Sequence, residues 1–172
     1  MSSTTTWTEH DLTSGANTLH YARMGVRSGP PVVLLHGFSD AGLCWHRFAS
    51  DIASEYDVIL PDAAGHGRTS PPAPGEQQAR GVADVLAVLD ALGFNQVALV
   101  GHSMGAGTAA RVAVAAPERV RALALEDPGW ARRDLDAACG RAPQPCTAAQ
   151  PRMDRVDAQP EGHDPRTATG GG

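Results

Sequence analysis

Four short apolar runs divide the first 130 residues of the chain, at residues 31–35, 58–60, 97–100 and 122–125. Within each run the apolar positions are continuous and do not alternate with polar ones. Such runs are typical of strands buried on both faces, as in a parallel sheet. The second run stops at Pro61 and Asp62, where a loop begins that continues to Pro74.

Between these runs, apolar residues recur with helical periodicity. Two stretches place them at positions i, i+3, i+4 and i+7: Trp45, Phe48, Ala49 and Ile52, and then Val82, Val85, Leu86 and Leu89. The second stretch predicts a helix over residues 76–92, with Gly93 as its C-cap. A helix of small residues is predicted from about 104 to 116. Strands that alternate with helices predict an α/β fold, with a mainly parallel sheet and flanking helices.

The two ends of the chain have other patterns. Residues 7–12 and 17–23 predict two short strands joined by a hairpin-like turn at 13–16. After Trp130 the periodicity stops, and 24 of the 42 residues in 131–172 are Ala, Arg, Pro or Gly. Such a segment cannot bury enough apolar surface to offset its ordering entropy. The sequence therefore predicts an α/β core over residues 1–130 and a disordered tail over 131–172.

Charge and composition exclude several classes of protein. The chain contains no lysine, since all 14 basic residues are arginine, and its net charge is -5. P-loop NTPases, protein kinases, Schiff-base enzymes and Ser-x-x-Lys acyl enzymes each need a lysine. The acidic balance and the absence of a basic cluster argue against a nucleic-acid partner.

The N-terminus and the cysteines suggest a location. Residues 1–7 have neither the basic nor the apolar region of a signal peptide. The longest apolar runs are far shorter than the roughly 18 residues needed to span a bilayer, so no membrane partner is expected. Cys44, Cys139 and Cys146 form an odd set without close spacing, which fits a reducing compartment. We predict a cytoplasmic protein.

The strongest chemical signal is the pentapeptide Gly101-His102-Ser103-Met104-Gly105, which matches G-x-S-x-G. It follows a predicted strand and opens a predicted helix, which is the context of a nucleophile elbow. There a serine sits on a sharp, strained turn, and the flanking glycines allow close approach of the chains. The new helix directs its N–H groups and its positive dipole end at the same point.

A second motif ends the first apolar run. The turn at His36-Gly37-Phe38 allows a backbone N–H, that of Phe38, to point toward the serine. With the N–H of Met104 it would form a two-donor oxyanion hole. A third motif, Asp62 to Ser70 with Gly65-His66-Gly67, follows the next run.

These three motifs, in this order and spacing, resemble the N-terminal part of the α/β-hydrolase fold family, over residues 7–130 of an apparently C-terminally truncated chain. The resemblance implies that Ser103 is the nucleophile, that the N–H groups of Phe38 and Met104 form the oxyanion hole, and that the substrate is a small ester or similar acyl compound. The family's epoxide hydrolases and haloalkane dehalogenases place Asp at the elbow, which Ser103 does not match.

The rest of a catalytic triad is incomplete. Some members of the family carry the acid at the end of the strand that follows the elbow strand, which makes Asp127 a candidate; a carboxylate that caps a turn is the alternative. The only histidine after Ser103 is His163, in the predicted tail. No triad histidine is therefore identified, and the activity is predicted to be weak or absent. A non-catalytic remnant or binding protein is the alternative function.

A further alternative is a dinucleotide site. Gly105-Ala-Gly107-Thr-Ala-Ala110 matches G-x-G-x-x-A, and Glu126 follows at a strand end. That fingerprint should begin at the strand–helix turn, whereas these glycines are predicted to lie within the helix. No cofactor is therefore expected, and no metal site is expected either.

Because nothing after Trp130 has the pattern of a strand, residues 122–126 are predicted to form a sheet edge through which copies self-associate.

Overall fold

The computed structural model describes residues 6–128, which form a six-stranded sheet with helices on both faces. The strands are β1 (Thr8–Ser14), β2 (Asn17–Gly25), β3 (Pro31–Leu35), β4 (Asp57–Pro61), β5 (Val97–His102) and β6 (Val120–Glu126). Their order across the sheet is β1-β2-β4-β3-β5-β6. The predicted α/β class is confirmed, and the predicted tail at 131–172 lies outside the described residues.

The hairpin predicted at the N-terminus is the antiparallel pair β1–β2, in which Ser14 pairs with Asn17. Gly15 occupies the turn with φ of +61°, a conformation that glycine adopts without steric cost. Strand β2 also pairs antiparallel with β4. The three pairs among β4, β3, β5 and β6 are parallel, so the elbow strand β5 lies between β3 and β6.

Helices connect the parallel strands. A short 3-10 turn (Gly42–Trp45) leads into α1 (His46–Ile52), α2 spans Gln77–Ala91 and α3 spans Met104–Ala115. A second 3-10 turn covers Pro117–Arg119. Gly93, with φ of +69°, follows α2 as the predicted C-cap. Within residues 6–128, none of the helices has the length and apolar character needed to cross a bilayer.

The core has one part on each face of the sheet. Helices α2 and α3 cover one face, where Val88, Leu89 and Val112 pack against Leu99 and its neighbours. Helix α1 covers the other face, where Ala49 packs against β2, β3 and β4. The apolar runs in β3 and β4 contribute to both parts, because successive residues of a strand face opposite sides.

Two apolar positions are less buried than their patterns predict. The run in β6 has the pattern of a strand buried on both faces, but most of β6 is exposed and Leu123 is 41% exposed. Within residues 6–128, β6 is one of the two edges of the sheet, as the position of the tail led us to expect. Phe48, on the predicted apolar stripe of α1, is 44% exposed beside the uncovered β6 side of the sheet.

Candidate active site

Ser103 connects the end of β5 to the first residue of α3. Its backbone has φ of 50° and ψ of −108°, and among residues 6–128 only Asp127 is another non-glycine residue with a positive φ. A side chain is strained in this region of backbone space, and such strain is concentrated at functional turns. The predicted elbow conformation of Ser103 is confirmed.

Both glycines of the pentapeptide are required by the backbone around them. A Cβ atom on Gly101 would lie 2.6 Å from the backbone nitrogen of Ala106. One on Gly105 would lie 2.7 Å from the carbonyl oxygen of His36, and closer still to that of Leu35. The start of α3 therefore packs directly on the end of β3, which brings the His36-Gly37-Phe38 turn beside the elbow. Gly105 and Gly107 lie within α3, not at the strand–helix turn of a dinucleotide site.

The start of α3 is polarised toward the elbow. The first intrahelical bond runs from the N–H of Gly107 to the carbonyl oxygen of Ser103, 3.2 Å away. The N–H groups that precede Gly107 in the helix have no acceptor within it, as at every helix start. Together with the helix dipole, they make this end of α3 favourable for developing negative charge.

His36 is buried and neutral, and both of its ring nitrogens are occupied. Its Nε2 accepts a hydrogen bond of 2.9 Å from the N–H of Ala63, so Nδ1 carries the proton and donates to the carbonyl oxygen of Gly37 at 2.7 Å. Burial lowers the pKa of His36, which keeps the imidazole uncharged near neutral pH. It holds the turn through these two bonds and has no nitrogen available as a general base.

The side chain of His102 lies against the backbone of Gly37. A Cβ atom on Gly37 would lie 2.8 Å from the Nδ1 atom of His102. The imidazole of the elbow residue therefore packs against the backbone of the turn, and only glycine leaves space for it. This contact joins two of the motifs directly.

The third motif is fixed by a buried carboxylate whose role the sequence did not reveal. Asp62 accepts hydrogen bonds from the N–H of Gly42 at 2.7 Å and of Arg68 at 2.9 Å. A Cβ on Gly67, which has φ of +50°, would collide with that carboxylate. In the sequence, the signal for this contact is an Asp at the end of a strand that is followed, five residues later, by a glycine.

The loop is also tied to the N-terminal hairpin. The N–H of His20 donates to Thr69 Oγ1 at 2.9 Å, and that of Thr18 donates to Ser70 Oγ at 3.0 Å. The loop that carries His66 is therefore held on two sides, by Asp62 and by β2.

Asp127 follows Glu126, the residue whose backbone hydrogen-bonds the backbone of Ser103. The N–H of Ser103 donates to the carbonyl oxygen of Glu126 at 2.9 Å, and Asp127 follows with φ of 43°. Among residues 6–128, the Asp127 carboxylate has no hydrogen-bond partner. The role of Asp127 as a triad acid stays a prediction.

No histidine of the described chain hydrogen-bonds Ser103. His20 bonds Asp11 and His10 bonds Thr8, while His66 contacts two carbonyl oxygens. His163 lies outside the described residues. In the same part of the chain, no three His, Cys, Asp or Glu side chains are grouped so as to hold a metal ion.

A strained serine at a strand–helix turn, above a mainly parallel sheet and beside a His-Gly turn, is the arrangement typical of α/β proteins with a nucleophile elbow. The model of the α/β hydrolase fold family matches residues 30–161. The chain belongs to this family.

Relatives within the family have several activities. An epoxide hydrolase of Caballeronia sordidicola is 36% identical over 118 residues, which are 67% of this chain and 35% of that protein. The lipase LipV of Mycobacterium tuberculosis is 39% identical over 113 residues, 66% of this chain and 42% of that one. The chain thus spans less than half of the length of these relatives.

Solved structures agree with the fold. The 2-hydroxy-6-oxo-6-phenylhexa-2,4-dienoate hydrolase of a Rhodococcus species superposes with a TM-score of 0.67 at 30% identity. The match covers 71% of this chain and 46% of that structure.

Proposed function

We propose that the chain carries the nucleophile half of a serine hydrolase that acts on an ester or similar acyl bond of a small molecule. The observation that carries the proposal is the positive φ of Ser103 at the turn between β5 and α3. A hydroxyl presented on this turn stands clear of the sheet and next to the unpaired N–H groups of a helix start.

In the proposed reaction, Ser103 Oγ attacks the carbonyl carbon of the substrate and transfers its proton to a base. The carbonyl oxygen becomes an oxyanion, which the N–H groups of Phe38 and Met104 stabilise. The direct packing of Gly105 on Leu35 supports this pairing of donors, because it brings the start of α3 to the Phe38 turn. Preorganised donors of this kind contribute about 10²–10³-fold each in other hydrolases.

The serine favours acyl chemistry over epoxide opening. The relatives include both epoxide hydrolases and a lipase, so identity alone does not separate the two activities. By resemblance to the family, an epoxide hydrolase uses a carboxylate at the elbow. Ser103 occupies that position here, which supports an ester substrate.

Asp127 is the proposed acid of this site, on the strength of its backbone position beside Ser103. Because no histidine hydrogen-bonds Ser103 among residues 6–128, the proposed base is missing from that part of the chain. Loss of a triad histidine lowers turnover by roughly 10⁶-fold in a well-studied serine hydrolase and leaves about 10³–10⁴-fold over water. We therefore propose weak turnover at most.

The missing base also supports the second candidate, a non-catalytic protein that retains the elbow and binds small molecules without turnover. A fluorophosphonate probe separates the two, since it labels only an activated hydroxyl. Serine hydrolysis predicts labelling that is lost in Ser103→Ala and retained in Ser50→Ala, where an exposed serine of α1 is removed. No labelling of the unaltered chain would favour the non-catalytic candidate.

We also propose that copies of the chain associate through the outer edge of β6. Strand β6 offers unpaired backbone groups on that side within residues 6–128, and its neighbouring surface includes exposed Leu123 and Phe48. A row of unpaired backbone N–H and C=O groups is a template for pairing with another strand.

A further inference from the structure

His66 contacts the backbone of the proposed oxyanion-hole residue. Its Nε2 lies 2.7 Å from the carbonyl oxygen of Phe38, and its Nδ1 lies 3.1 Å from that of Ala64. Both neighbours are carbonyl oxygens and can only accept, so the ring donates to them. The shorter contact makes Phe38 the main acceptor.

The ring of His66 also supports the Phe38 side chain. The centroids of the His66 and Phe38 rings are 5.6 Å apart, and the ring planes meet edge-on at 76°. The centroid of the His36 ring lies 5.4 Å from that of His66. Phe38 is otherwise 76% exposed. His66 therefore touches the turn twice, through the backbone carbonyl and through the aromatic ring.

These contacts determine the direction of one N–H group. The N–H of Phe38 belongs to the same planar peptide unit as the carbonyl of Gly37, and the carbonyl of Phe38 belongs to the next unit. His36 donates to the first carbonyl and His66 to the second. Because peptide units are planar, holding both carbonyls holds the backbone of Phe38 and the direction of its N–H.

The His66 loop does not depend on this imidazole for its conformation. Asp62 accepts from the N–H of Arg68, and Thr69 and Ser70 accept from β2. The backbone of His66 itself donates to the carbonyl oxygen of Ala63 at 2.8 Å. Removal of the side chain should therefore release the Phe38 turn and leave the loop in place.

We propose that His66 is a positioning residue that locks the Phe38 N–H in the orientation of an oxyanion-hole donor. This inference rests on the proposed function, in which that N–H stabilises the oxyanion. It gives the Gly65-His66-Gly67 motif a role in the site, through the carbonyl of Phe38.

The first test measures the rate at which a fluorophosphonate labels Ser103. His66→Ala should slow labelling by about 10-fold or more, as expected when a donor is misplaced. His66→Gln, whose side-chain amide can donate to the same carbonyl, should recover most of the rate. His46→Ala removes an exposed histidine of α1 and should have no effect. If the unaltered chain is labelled, an equal labelling rate in His66→Ala would overturn the proposal.

A second readout does not need a reactive serine. In nitrogen NMR spectra of the full chain, His66 should show a protonated Nε2. His66→Ala should shift the amide signals of Phe38 and Ser39, and His66→Gln should return them toward their original positions. Unchanged signals in His66→Ala, or a His66 ring protonated on Nδ1 alone, would overturn the positioning role. If the unaltered chain is not labelled but these shifts occur, the serine chemistry fails while His66 still holds Phe38.

Discussion

The N–H of Ser103 donates a hydrogen bond to the carbonyl oxygen of Glu126, 2.9 Å away, so the elbow is tied to the end of the neighbouring strand β6. This bond crosses from one parallel strand to the next at their carboxyl ends. It holds Ser103 in its strained conformation and places Asp127 beside it. The strain and its support lead to a prediction on stability.

Ser103→Gly should be more stable than Ser103→Ala, by about 1 kcal/mol, because glycine adopts φ of 50° without a steric penalty and alanine does not. Both variants lack the hydroxyl, so the comparison isolates the backbone. Urea denaturation of the two proteins measures the difference. Equal stabilities would mean that the elbow stores no strain.

Gly105→Ala should destabilise the fold by about 2–3 kcal/mol, since the new methyl group would collide with the backbone of Leu35 and His36. Gly81→Ala in α2 is the matched control. Its Cβ would meet only the Thr108 side chain, at 3.4 Å, and alanine favours a helix interior. Thermal unfolding should separate the two variants, and a Gly105→Ala protein as stable as Gly81→Ala would contradict the close packing.

Stability should fall as the pH decreases through about 6.5, the usual pKa of histidine. Burial lowers the pKa of His36 in the folded state, so the unfolded chain binds the proton more readily. The contribution is complete above the unfolded pKa and is lost as the pH falls toward the folded one. Urea midpoints at several pH values test this, with His36→Gln expected to flatten the slope in this range. An unchanged slope in His36→Gln would assign the dependence to other groups.

Turnover of a short-chain p-nitrophenyl ester should be very weak, because no histidine hydrogen-bonds Ser103 among residues 6–128. His163→Ala should leave the rate unchanged, whereas Ser103→Ala should abolish whatever rate is present. Robust turnover that disappears in His163→Ala would make His163 the base and overturn the prediction.

Self-association should depend on the edge of β6. Size-exclusion chromatography of the chain should show species larger than a monomer, and Leu123→Lys should shift them toward the monomer, since a charge on an edge strand opposes pairing. Val114→Lys, at an exposed position of α3, controls for added charge. A sharp monomer peak for the unaltered chain would exclude association through this edge.

The local signals in the sequence predicted most of the candidate site. Ser103 was predicted because a nucleophile elbow needs glycines at fixed neighbouring positions and an apolar strand before it. His36, Gly37 and Phe38 were predicted because a His-Gly turn ends the strand that carries them. Each of these signals is contained within a few residues, so it is readable without the fold.

The role of His66 was not readable in this way. Its ring acts on a carbonyl 28 residues away, and the loop that holds it is anchored by Thr69 to a strand 49 residues away. Such contacts depend on which strands become neighbours. The pattern did not determine that β4 lies between β2 and β3, and this placement brings the His66 loop beside the Phe38 turn.

The sequence by itself determined the class of fold and the position of the strained turn at Ser103, because periodicity and turn chemistry are local properties. Only the tertiary structure decided that β6 is largely exposed despite its apolar run, because burial depends on what packs beside a strand and not on its composition. It also decided which backbone groups His36, His66 and His102 hold, because those contacts form between loops that meet only at the carboxyl edge of the assembled sheet.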